Sequence, residues 1–193
     1  MPRPKTFDPD HVLDAAIELF RAQGYRGTSF DDLVKATGVA RYGLYTTYGD
    51  KRDLFLASLK RYPQRMERNV LGRLRESTDG KQALKRHFER LVETVAAGDR
   101  RGCLICNTAI EPIMSDRAVA GAVRRGFERM ESAYGACIDV AQSKGELDVN
   151  IDSGALADYF VSIHRNVVSM ARAGYPVARI RRFVAFALDA VIA

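Results

Sequence analysis

The sequence has no tryptophan, six prolines, three cysteines and no long hydrophobic run. Each shortage excludes something. The longest stretch without a charged side chain is nine residues, 102 to 110, less than half of the roughly 20 that a membrane-spanning helix requires. Three cysteines cannot all pair, so the fold is not expected to depend on disulfides, and a reducing cytoplasm is the expected home. Residues 1 to 10 carry basic groups with no apolar segment behind them, and no secretory signal is expected there. Strand-like alternation is scarce. No Gly-rich phosphate loop, nucleotide motif, catalytic triad or paired-carboxylate arrangement occurs, so neither an enzymatic activity nor a cofactor is expected.

What is present is the composition of a globular chain: 193 residues, 47% apolar and 28% charged, enough for one domain or a small module joined to a larger one. The 30 basic and 24 acidic side chains leave a net charge of +6, which permits a polyanionic partner without requiring one. Residues 1 to 62 carry +2, residues 63 to 102 carry +4, and residues 103 to 193 balance. Within the first third, Arg41, Lys51, Arg52, Lys60 and Arg61 against Asp50 and Asp53 make a local +3, and Arg3 and Lys5 form a short arm that can reach a nucleic-acid backbone or minor groove.

Helical periodicity runs from end to end. Leu13, Ala16, Ile17 and Phe20 predict a first helix over about 9 to 23, with Gly24 as its stop. Thr28 or Ser29 can cap a second short helix that Thr37-Gly38 ends, and a third spans about 40 to 47. Leu54, Phe55, Ser58, Leu59 and Tyr62 predict a fourth, in a segment from 50 to 76, with Pro63 expected to end or kink it near Arg61. Further helices are predicted at about 80 to 97 and 102 to 111, in a long stretch from Val119 to Ala141, from Leu156 to Ala171, and from Pro176 onward. The expected class is all-α with about nine helices: a helix-turn-helix module over 1 to 50, a connecting helix over 50 to 76, and a larger helical domain over 51 to 193.

Residues 28 to 48 have the layout of a helix-turn-helix. Two helices this short cannot bury themselves, so Phe30, Leu33, Val34, Val39 and Leu44 need the first and fourth helices as backing. The second helix of the pair leaves Arg41, Tyr42, Gly43, Tyr45, Thr46 and Thr47 for its outer side. Such a helix enters the major groove by its amino-terminal side chains. Arg41 can fork onto guanine, Tyr42 can bond or stack on a thymine methyl, and Gly43 can let the backbone approach. Thr28, Ser29, Tyr45, Thr47 and Lys51 are suited to phosphate oxygens. By itself the pattern fits a generic helical pair equally well.

A larger set of ordered positions narrows the choice. Ala15-Ala16-Ile17-Glu18-Leu19-Phe20 with Gly24-Tyr25, Thr28-Ser29-Phe30-Asp31-Asp32-Leu33, Thr37-Gly38-Val39, and Leu44-Tyr45-Thr46-Thr47-Tyr48-Gly49-Asp50-Lys51-Arg52-Asp53-Leu54 resemble the TetR family of bacterial transcriptional regulators over about residues 8 to 62. The resemblance implies a homodimer that binds a near-palindromic double-stranded operator, generally as a repressor, through amino-terminal helix-turn-helix domains. It also implies a helical carboxy-terminal domain that dimerises and takes a small-molecule inducer. Ala40 departs from the usual Ser or Thr cap of the third helix, and Thr47 stands where histidine is frequent.

In the second half, Arg101 to Glu111 resembles a Gly-Cys-Leu segment found in a subgroup of such regulators, some of which respond to oxidants or electrophiles through cysteine. Cys103 follows Arg100 and Arg101 near a predicted helix start, which would favour its thiolate, whereas a free cysteine commonly serves as a small buried hydrophobe. Cys103 and Cys106 form C-x-x-C, but with Cys137 and the scattered His11, His87 and His164 they do not suggest a closed four-ligand zinc site, and no metal is expected. A small thiol-dependent redox enzyme and a helical protein-binding module are the competing readings. Candidate inducer contacts are Met66, Phe88, Leu91, Cys103, Phe127, Met130, Tyr134 and Tyr159. The last two helices carry apolar residues on more than one face, and Phe160, His164, Val167, Val168, Phe183, Val184, Phe186 and Ala187 are the expected dimer interface.

Overall fold

The computed structural model describes residues 7–192, and among them every regular element is helical. There are ten α-helices: α1 Pro9–Gly27, α2 Phe30–Thr37, α3 Arg41–Tyr48, α4 Lys51–Met66, α5 Gly72–Arg75, α6 Gly80–Ala96, α7 Leu104–Thr108, α8 Arg117–Ser143, α9 Ser153–Arg172 and α10 Val177–Ile192. The all-α expectation holds. The tenth helix arises because the predicted 50 to 76 segment is interrupted by a π-helical turn, Glu67–Leu71, before the single turn of α5. Pro63, expected to end or kink the helix near Arg61 because it lacks an N–H, does not end it; it lies inside α4. Burial of Tyr62 and Met66 on either side outweighs one lost hydrogen bond. The predicted 102 to 111 helix is shorter, α7 alone, followed by a 3-10 turn at Pro112–Ser115.

The chain forms two compact units. The first comprises residues 1–63 and 104–123, the second 64–103 and 124–193. In the first, Val12, Ala16, Ile17 and Phe20 of α1 are buried with Leu33, Leu44, Leu54, Phe55 and Leu59. Phe20 meets Phe55 edge-on at 4.8 Å between ring centres, and α7 packs on α1. Arg61 ties the module with a two-pronged bond to Asp14, both contacts at 2.9 Å, and a third to Asp10 at 2.7 Å.

In the second unit, α10 packs against both α6 and α9, and α6 also meets α9. Its centre is aromatic and partly polar. Phe88, Tyr134 and Phe160 are fully buried with ring centres about 6 Å apart. Into this cluster fit two histidines: the Tyr134 hydroxyl lies 2.8 Å from His87 Nε2 and 3.5 Å from His164 Nδ1. Burial, then the neighbouring His164 and Arg90, push His87 down to about 3, so it is neutral at physiological pH. At its start, α6 lies directly on the α8 backbone: a Cβ on Gly80 would stand 2.4 Å from Cys137 O and 2.6 Å from Ala141 N. Only glycine fits.

Two outcomes follow from this packing. Gly80→Ala forces two backbones apart and should cost about 2 kcal/mol, measurable as a lower urea midpoint at unchanged slope. For His87 the folded value lies below the unfolded one, so its contribution is complete above pH 6.5 and is lost as pH falls toward about 3. Between pH 7 and 5 that loss amounts to about 2 kcal/mol, and His87→Phe should remove this slope from stability measured at the two pH values.

Candidate nucleic-acid interface and regulatory segment

The short helices of the first unit owe their limits to local chemistry. Ser29 and Asp32 form a reciprocal cap at the start of α2: Ser29 Oγ accepts the Asp32 N–H at 3.1 Å, and the Asp32 carboxylate accepts the Ser29 N–H at 2.9 Å. The Ser29 hydroxyl, donating to Asp32 Oδ2 at 2.6 Å, and then the Ser29 N–H hold the Asp32 carboxyl below its usual range. Gly38 ends the helix in the left-handed conformation, φ 69°, with its N–H on Val34 O at 3.0 Å. α3 then begins at Arg41 behind Ala40, which gives no side-chain cap. Leu44 anchors α3 in the core and Tyr48 donates its hydroxyl to Pro9 O at 2.9 Å.

This anchoring fixes which α3 side chains face outward. Tyr42 is 80% exposed and Tyr45 61%. Thr46 is exposed, its hydroxyl donating to Tyr42 O at 2.8 Å, and Thr47 is half-buried. Arg41 is exposed but braced, paired with Asp31 and lying 5.1 Å above the Phe30 ring. Gly43 is inward-leaning: an added Cβ would sit 3.0 Å from Val39 and 3.4 Å from Phe7. The glycine serves packing on this side of the helix.

Two other predicted residues are engaged within the protein. Thr28 is only 1% exposed, and its hydroxyl donates to Gly24 O at 2.7 Å. Lys51 donates to Tyr25 O at 3.1 Å and Thr28 O at 3.0 Å, with its ammonium 4.3 Å above the Tyr25 ring. Both close the end of α1 instead of reaching outward. Ser29 remains exposed. Arg3 and Lys5 lie outside the described residues.

Sequence reasoning missed three residues that join the 104–123 segment to these helices. Asn107 Nδ2 donates to Arg21 O at 3.3 Å, Glu111 accepts the Tyr25 N–H at 2.9 Å, and Asp116 accepts from Arg52 Nε. Gly24 makes room for the second of these. At φ 75° it interrupts α1, and a Cβ there would meet the Glu111 carboxylate at 3.0 Å. Arg52, followed by the Val119 and Ala118 N–H groups, pulls the Asp116 carboxyl down to about 2. Asn107 and Glu111 belong to the Gly-Cys-Leu string, but nothing in their spacing points to a partner 86 residues away.

In the second unit the candidate inducer contacts divide by depth. Phe88, Cys103, Met130 and Tyr134 are deeply buried and Met66 is buried at the margin, whereas Leu91, Phe127 and Tyr159 are half-buried. Tyr159 donates to Ala187 O at 2.8 Å, and Arg165 lies over the Phe127 ring. Cys137 is buried, with its thiol on Gly80 O at 3.2 Å and pushed up to about 11 by burial; Cys106 is half-buried. Of the expected interface, Phe160, His164, Val167 and Val168 point into their own unit, and Val184 and Ala187 are also covered. The apolar surface left outside is narrower: half-buried Phe183 and Phe186, the latter 77% exposed. They border a groove of about 660 Å³ on α9 and α10, with Met170, Tyr175 and Arg179 on its walls. No helix among the described residues is long and apolar enough to cross a membrane.

Comparison with known proteins agrees with this arrangement. Residues 12–58 match the family model "Bacterial regulatory proteins, tetR family", and residues 80–189 match "Tetracyclin repressor-like, C-terminal domain". An uncharacterized HTH-type transcriptional regulator of Bacillus subtilis (strain 168), YezE, is 35% identical over 98% of both chains. The HTH-type transcriptional repressor ComR of Escherichia coli (strain K12) is 31% identical over 89% of this chain and 83% of its own. Among solved structures, a cysteine mutant of the TetR family transcriptional regulator CifR, complexed with 26-bp double-strand operator DNA, superposes with a TM-score of 0.81 at 26% identity, covering 97% of this chain and 99% of that one. With both halves matched in order and a relative aligned nearly end to end, the chain belongs to the TetR family of DNA-binding transcriptional regulators.

Proposed function

We propose that the protein is a homodimeric repressor that grips a near-palindromic operator through α3 and releases it when a small-molecule inducer binds or a cysteine is modified. The observation that carries the DNA contact is the outer face of α3: two large, exposed tyrosines on a short helix whose other side is pinned by Leu44 and Tyr48. Leaving such area in water has a cost, which docking in a major groove offsets. Tyr42 reads base edges. Tyr45 supplies its hydroxyl to a phosphate, Ser29 and Thr46 do so on releasing their bonds to Asp32 and Tyr42 O, and Arg41 swings from Asp31 to guanine or phosphate when DNA displaces the carboxylate. Thr28, Gly43 and Lys51 position α2 and α3. The Arg3 and Lys5 arm adds backbone charge.

Support for dimerisation comes from Phe183 and Phe186 beside the α9 and α10 groove, an apolar strip that a second copy would cover. Release requires a signal to reach the reading helix. The chain passes from the second unit to the first between Cys103 and Leu104, and within about a dozen residues Asn107, Glu111 and Asp116 hold α1 and α4. A shift of this strap loosens the end of α1, and with it the base of α2. An inducer preferring the shifted state by 1–3 kcal/mol is sufficient for measurable coupling. The relation of CifR to operator DNA and the repressor role of ComR support the same reading for this chain.

The test is fluorescence anisotropy with the DNA upstream of the protein's own gene, at fixed salt. Tyr42→Ala should weaken specific binding by about 1–3 kcal/mol while leaving binding to random DNA nearly unchanged; equal weakening on both would move base reading elsewhere. Phe186→Glu should shift the dimer toward monomer in sedimentation and lower operator affinity accordingly. Retention of both dimer and affinity would put the partner copy on another face.

A further inference from the structure

Within the second unit, Cys103 Sγ and a ring nitrogen of His164 lie within 4.8 Å of each other. Both are interior, 2% and 3% exposed. His164 presents one further peculiarity: Nδ1 faces the Tyr134 hydroxyl at 3.5 Å, whereas Nε2 is buried with no hydrogen-bond partner among the described residues. A buried imidazole nitrogen left without a partner costs free energy that a fold does not retain for packing alone. Phenylalanine would fill the same space without that cost.

We infer that Cys103 and His164 form a binding site for a soft, monovalent d10 cation, Cu(I) being the physiological example. Three arguments select this class. Thiolate sulfur and imidazole nitrogen are the donors that soft cations prefer, and the group contains no carboxylate, the donor that magnesium, calcium or manganese would need. A metal–sulfur and a metal–nitrogen bond of about 2.3 and 2.0 Å laid end to end span roughly 4.3 Å, so a gap within 4.8 Å accepts a cation with little movement.

Charge supplies the third argument. One thiolate and one neutral imidazole balance a monovalent ion, leaving the buried site neutral, which desolvation demands. A closed zinc site takes four protein ligands. Here His87 Nε2 is already on the Tyr134 hydroxyl. Cu(I) is satisfied by two soft ligands. Tyr134, hydrogen-bonded to His87 and 3.5 Å from His164 Nδ1, occupies that side of the ring, which leaves Nε2 as the nitrogen available to a cation. On binding, the Cys103 thiol gives its proton to solvent or buffer and the Cu–S and Cu–N bonds form; no electron is transferred. The site stands independently of the repressor reading, because its test uses no DNA.

The experiment is anaerobic titration of the reduced full-length protein with Cu(I) in competition with a chromophoric Cu(I) chelator. One equivalent per chain should be withdrawn from the chelator, and Cys103→Ser and His164→Phe should each weaken binding at least tenfold, with Cys137→Ser, another buried thiol, matching wild type. X-ray absorption on the wild-type complex should give a low-coordinate copper with both sulfur and nitrogen neighbours, a readout that needs no variant to fold. The inference is overturned if wild type takes no Cu(I) from the chelator, if copper has only nitrogen and oxygen neighbours, if Cys137→Ser alone abolishes binding, or if Zn(II) binds stoichiometrically where Cu(I) does not.

Discussion

The carboxy-terminal end of α1 is the constraint on which the DNA-binding unit depends. A helix that stops inside a protein leaves carbonyls and the chain beyond it in need of partners. Gly24 turns the backbone at φ 75°, and three side chains from separate parts of the chain then settle around the break. Thr28 returns its hydroxyl to Gly24 O, Lys51 covers Tyr25 O and Thr28 O, and Glu111 accepts the Tyr25 N–H. Ser29, which caps α2, is the next residue along. The direction in which α2 leaves, and hence where α3 lies, follows from how this corner is satisfied. A lysine beside a helix end looks like a phosphate anchor in sequence, but here its charge is spent on carbonyl oxygens, where a cation is favoured by the helix dipole.

What was legible in the sequence follows the range of the interactions. The capped start of α2, its glycine stop and the Leu44 anchor are written within a few residues, and each stands where the pattern places it. The π-helical turn after α4 gave no such signal, since it reflects packing along a long helix and not a breaking residue. Pro63 was a breaking residue that packing overrode. At the candidate site, Tyr42 and Tyr45 were legible because a short amphipathic helix with one buried leucine has a single outward face. Thr28 and Lys51, expected at phosphates, meet carbonyl oxygens in the fold, because a hydroxyl and an ammonium suit a carbonyl as well as a phosphate and sequence spacing does not choose between them. Glu111 and Asp116 were invisible as partners of α1 and α4 for a simpler reason: they lie 86 and 64 residues from Tyr25 and Arg52.

The second unit poses the opposite problem. Helical periodicity marks Phe160, His164 and Val167 as one stripe of α9, and a stripe that rich in apolar groups can face a partner or the core. The structure turns it to the core, where Phe88, Tyr134 and Phe160 already fill the centre. A core this aromatic has no need of imidazoles to hold it together, and neutral His87 is maintained only because burial keeps the proton off. Each histidine therefore carries a penalty, partly offset by the hydroxyl of Tyr134 between them. His87 recovers that penalty through its hydrogen bond at 2.8 Å. At His164 the bond is long and Nε2 has no hydrogen-bond partner among the described residues, so the protein's own groups leave its penalty uncompensated. The free-energy imbalance is confined to one atom, and a cation held jointly with the neighbouring thiolate corrects it without disturbing the surrounding packing.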